Sequence, residues 1–87
     1  MTYSSKICKQ LSKTAFELTK SRVASADAED IRAYLYEHNE WGLAMETLVD
    51  VLLEGDIAIS SEQKAAIMDA MNAMELDRGQ VALRTSD

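Results

Sequence analysis

Three carboxylates at helical spacing, Glu46, Asp50 and Glu54, form the most concentrated set of charged groups in the chain. Positions i, i+4 and i+8 share one face of a helix. Like charges placed this way repel and destabilise an isolated helix by roughly 0.2–0.5 kcal/mol per pair. No lysine or arginine lies between Glu40 and Glu54 to offset them. Such a stripe is either the solvent side of an otherwise buried helix or a face that meets the lysines and arginines of a partner. Glu37, Glu40 and Asp56 flank the same segment.

Residues for bond-making chemistry are sparse. His38 is the single histidine and Cys8 the single cysteine. Near a helix end, His38 reads as a surface or capping group rather than a base. Cys8 on a helix reads as a small buried hydrophobe rather than a nucleophile. His38 with Glu37 and Glu40 lacks the second histidine that a helical zinc motif needs. No glycine-rich phosphate loop occurs. The expectation is therefore no catalytic residue, no cofactor and no metal, with an enzyme the least favoured class.

The elements that must position the stripe are helical. There is no proline, and glycine occurs only at 42, 55 and 79. Period-2 alternation is absent, whereas helical spacing recurs in every segment. A first helix is expected from Ser4 or Ser5 to about Val23, with Ile7, Leu11, Leu18 and either Ala15 or Phe16 on its apolar face. Ser25, Ala26 and Asp27 supply a break and a cap. A second helix follows over about Ala28–His38, burying Ile31, Tyr34 and Leu35. The third, about Glu40–Glu54, is apolar on most of its circumference and belongs at the centre. Gly55 suits the position past its end, and Ile57 and Ile59 can tuck in from the loop that follows. The fourth starts at Ser60, where Gln63 completes a capping box. It presents Ala66, Ile67, Ala70, Met71 and Met74 and fades near residues 75–77. Met45, Met68, Met71 and Met74 read as core filling more than as interface. Residues 80–87 read as a mobile tail on which Val81 and Leu83 have the option of docking. The fold class is all-α, a compact bundle of about four short helices forming one domain over residues 1–87.

Charge sets the choice of partner. The chain has 87 residues and a net charge of −6, unevenly spread. Residues 1–22 set five bases against Glu17, a local +4, while residues 23–77 set thirteen acids against Arg32 and Lys64, a local −11. A surface that negative repels nucleic acid and anionic lipid and attracts basic proteins. The five bases of the first helix have only Phe16 as an aromatic neighbour on that segment, so pairing with the acidic body or solvation is preferred to nucleic-acid binding. No apolar run is long enough to span a bilayer, no signal-type run opens the chain, and a lone cysteine cannot form an internal disulfide. A cytoplasmic setting is the expectation.

The segment Glu37–Leu76 carries a resemblance. Glu40-Trp41-Gly42-Leu43-Ala44-Met45-Glu46, then Leu48 and Leu52, then Asp56-Ile57-Ala58-Ile59-Ser60 and a helix ending in Met74-Glu75-Leu76, resembles the MafI-like immunity proteins of bacterial polymorphic toxin systems. That family includes immunity partners in contact-dependent growth inhibition. The match covers a little under half of the chain. It implies a helical protein that binds a cognate toxin C-terminal domain, often a nuclease acting on RNA, and blocks it by contact. A basic substrate cleft on such a toxin suits an acidic inhibitor. On this reading Glu46, Asp50 and Glu54 come first as toxin-binding residues, then Glu37 and Glu40, while Trp41, Leu43, Leu48 and Leu52 are scaffold. The alternative is a helical adaptor or regulatory subunit with no toxin partner, and oligomeric state is left open.

Overall fold

The computed structural model describes residues 4–86. Four α-helices account for most of them: α1 Ser5–Thr19, α2 Ser25–Tyr36, α3 Trp41–Glu54 and α4 Ser61–Ala73, with short 3₁₀ turns at Lys20–Arg22 and Gln80–Ala82. The Cα radius of gyration is 11.6 Å. The architecture is an all-α bundle, as the periodicity predicts. Among the described residues, no helix is long and apolar enough to cross a membrane.

Local chemistry sets the helix ends. The Ser60 hydroxyl accepts from the Gln63 amide at 3.0 Å, and the Gln63 side chain accepts from the Ser60 amide at 2.7 Å. This reciprocal cap satisfies two of the donors that a helix start leaves orphaned. Ser4 caps α1 through the Ile7 amide. The predicted break at 25–27 is instead the first turn of α2, which starts behind Ala24 with no side-chain cap. Left-handed backbone follows three of the helices, at Asn39, Asp56 and Glu75. Gly55, expected to take that conformation, is right-handed at φ −84, and the turn falls one residue later on Asp56.

One core joins all four helices. It contains Ala15 and Phe16 of α1, Ile31 and Leu35 of α2, Ala44, Met45, Leu48, Val49 and Leu52 of α3, and Ile67, Ala70 and Met71 of α4. Each large side chain fully withdrawn from water stabilises the fold by about 1.5–3 kcal/mol. Both α1 and α3 touch every other helix, so the central place expected for α3 is shared.

The apolar face of α1 is rotated from the expected one. Cys8, Ser12, Ala15, Phe16 and Thr19 are buried, while Ile7 and Leu18 are 45% and 36% exposed. Small side chains let α1 approach α4 closely. The Ser12 hydroxyl donates to the Cys8 carbonyl at 2.8 Å and that of Thr19 to the Ala15 carbonyl at 2.7 Å. Hydroxyls satisfied within their own helix enter a core at little cost. A reading that scores only large apolar residues therefore picks the wrong face.

The C-terminal segment, expected to be a mobile tail on which Val81 and Leu83 could dock, is packed against the body through Leu83, while Val81 is 68% exposed. Leu83 is 3% exposed and Gln80 4%. The Ile59 amide donates to the Arg84 carbonyl at 2.9 Å, and the Ser86 amide donates to the Ile59 carbonyl at 2.9 Å. The Lys64 ammonium donates to the carbonyls of Val81 and Leu83, both at 2.9 Å. Gly79, at φ +83, makes the left-handed turn that sends the chain back. Asp87 lies outside the described residues.

Candidate protein-binding surface

The five carboxylates predicted as binding residues are not one cluster. They divide by what holds them. Asp50 and Glu46 share Arg78, whose guanidinium lies 2.8 Å from the Asp50 carboxylate and 3.9 Å from that of Glu46. The cation absent from the helix itself is thus delivered by the C-terminal segment, 28 residues on from Asp50. Asp50 holds the Arg78 guanidinium above its ordinary range, with Glu46 adding a smaller share. Glu54, one turn further along α3, is exposed and forms no ion pair among the described residues.

Glu37 is bound elsewhere. It shares Arg32 with Glu29, inside a network on α2. The Arg32 guanidinium beside Glu29 holds that carboxyl below its ordinary 4.5. Glu40 occupies the residue before α3 with no side-chain cap. Six residues before Glu46, it lies about 120° away around the helix axis. The stripe therefore reduces to Glu46, Asp50 and Glu54, and Glu37 and Glu40 do not extend it.

Leu43 joins the stripe. It precedes Asp50 by seven residues, which puts the two within about 20° on the helix. Leu43 is 42% exposed, against the scaffold role expected from the sequence. Leu48 and Leu52 are buried as expected, and Trp41 is partly buried against the core. The face thus presents a leucine beside two carboxylates shared by one arginine and a third carboxylate that is open. The spacing 43, 46, 50, 54 was the available signal, but a leucine in so apolar a helix is read as core. Arg78 carried no local signal at all.

A second charged face lies on α1. Lys6, Lys9 and Lys13 line a groove of about 600 Å³ with Gln10, Thr14, Glu17 and Leu18. The Lys9 ammonium donates to the Asn39 side-chain oxygen at 3.0 Å and sits 6.0 Å from the centroid of the Trp41 ring system. That of Lys13 lies 4.7 Å from the centre of the Tyr36 ring. Glu17 is held below its ordinary 4.5 by its hydrogen bond from Lys20 first, and also by the one from Tyr36. Partial burial pushes the Tyr36 phenol up, and donation to Glu17 adds to that.

His38 is exposed in the turn after α2, and Cys8 is buried with its sulfur 3.6 Å from the Ala73 carbonyl. Among the described residues, no three His, Cys, Asp or Glu side chains are placed to hold a metal ion. Comparison with protein-family models, curated proteins and solved structures gives no match.

Proposed function

We propose that this chain is an immunity protein that binds a basic toxin domain and neutralises it by contact through the exposed face of α3. The observation that carries the reading is that face itself, on which Leu43 is 42% exposed beside Glu46, Asp50 and Glu54. An apolar residue at one end of a row of carboxylates suits a partner that brings lysines and arginines beside an apolar contact. The resemblance carried by Glu37–Leu76 makes the partner a toxin, with a nuclease the class whose substrate cleft is basic. On this reading the protein acts in the cytoplasm of the cell that makes it.

The function follows from two separable effects. Long-range attraction raises the encounter rate, and desolvation of Leu43 against the partner slows release. The test is co-purification from the native host, identification of the bound protein, and titration with a Leu43→Asp, Glu54→Lys double variant. Both positions are exposed, so the helical circular dichroism is expected to persist. Affinity is expected to fall at least tenfold, the loss of an apolar contact plus a reversed charge. A bound protein that is acidic, or one held as tightly by the double variant, moves the interface off α3.

A further inference from the structure

Nine bases face fifteen acids in this chain, so every cation has carboxylates to choose from. The ion pairs among the described residues use Lys20, Arg32, Arg78 and Arg84. None uses Lys6, Lys9 or Lys13. These three ammoniums line one groove on α1, at i, i+3 and i+7, where like charges repel. Their neighbours are the Asn39 side-chain oxygen, the ring faces of Trp41 and Tyr36, and the neutral side chains of Gln10 and Thr14. Ring faces and amides hold a cation in place without cancelling its charge. Glu17, at the far end of the groove, has its charge engaged by Lys20 at 2.6 Å and by the Tyr36 hydroxyl at 3.2 Å.

We infer that this α1 face is a docking site for a short acidic segment of a partner protein. Charge complementarity decides the class of occupant. From Lys6 to Lys13 the face runs seven residues, about 10 Å of helix. That length matches two or three carboxylates on successive turns or alternate strand positions. Beyond Lys13 the groove meets Glu17, and residues 23–77 carry a net −11, which repels the continuing phosphates of a nucleic acid. A protein segment can place its carboxylates on the lysines and leave the body untouched. Gln10 and Thr14 add uncharged donors for the remaining acceptor lone pairs. The inference uses none of Leu43, Glu46, Asp50 and Glu54 and stands or falls separately from the toxin-binding reading.

The experiment is binding of a fluorescent oligoglutamate peptide to the full chain, read by anisotropy, beside a single-stranded RNA of equal formal charge. The comparison variant is Lys6→Glu, Lys9→Glu, Lys13→Glu, with Arg84→Gln, whose partner Asp56 lies outside the groove, as the control. The peptide is expected to bind more tightly than the RNA and to weaken as salt rises. The triple variant is expected to lose about tenfold or more in peptide affinity, and the Arg84 variant little. Salt dependence of the wild type supplies a readout even where the triple variant fails to fold. Absence of peptide binding, binding insensitive to salt or to the triple change, or tighter binding of the RNA each overturns the inference. So does self-association of the wild type that the triple variant abolishes, which puts a second copy on the face instead.

Discussion

At the scale of single residues, Arg78 decides how much of the acidic stripe is available. Its guanidinium holds Asp50 at 2.8 Å and reaches Glu46 at 3.9 Å, yet its side chain is 49% exposed. An ion pair that open adds little to stability, because solvent screens it and two side chains must be ordered to form it. Its larger effect is on potential, since it cancels one charge on the face proposed to steer a basic partner. Replacing Arg78 with Ala is therefore expected to leave Tm almost unchanged and to raise the association rate with that partner about two- to tenfold at low salt. Stopped-flow mixing measures the rate and a thermal melt the stability. A large fall in Tm with no change in rate would make Arg78 a structural clamp instead. Leu43 shows the complementary case, where exposure rather than charge gives a side chain its value. A leucine left in water at the end of a charged face gains by burial against a partner.

Among the elements, the C-terminal segment is the one that most changes the picture. It closes the bundle with Leu83, 3% exposed, fixed by backbone bonds to Ile59 and by Lys64 across its carbonyls. Truncating Leu83 to Ala is expected to cost about 2–3 kcal/mol, from lost transfer energy plus the cavity left behind. Urea unfolding measures it. A loss below the error of the method would return the segment to the status of a loose tail. The same residue shows how far the sequence was legible. Helix placement was readable because a 3.6-residue period, the Ser60–Gln63 cap and Gly79 are all local signals. Leu83 was legible as a residue able to dock, but the backbone bonds that fix it to Ile59, the Arg78–Asp50 pair and the left-handed turn at Asp56 join or bend chain parts whose neighbours are set by the folded body. Short-range pattern does not encode them. Burial of Ser12 and Thr19 was hidden for a different reason. Their hydroxyls are satisfied inside α1, so two polar letters behave as apolar ones.

Over the whole molecule, the charge is polar rather than uniformly acidic. The lysine groove of α1 carries three ammoniums that form no ion pair among the described residues, while residues 23–77 carry a net −11. A partner approaching through solution feels that field before any contact forms, out to about one Debye length, roughly 8 Å at physiological salt and about 30 Å at 0.01 M. A basic partner is therefore turned away from the lysine groove of α1. Ionic strength should act on the two rates unequally. The association rate with the basic partner is expected to fall at least tenfold between low and high salt, because steering is lost. The dissociation rate should change much less, because Leu43 and the groups around it are then desolvated and screened weakly. Surface-plasmon measurements across a salt series separate the two. An association rate flat across the series removes steering from the mechanism. A dissociation rate that carries the whole salt effect means that the complex is held by charge alone, with no contribution from Leu43.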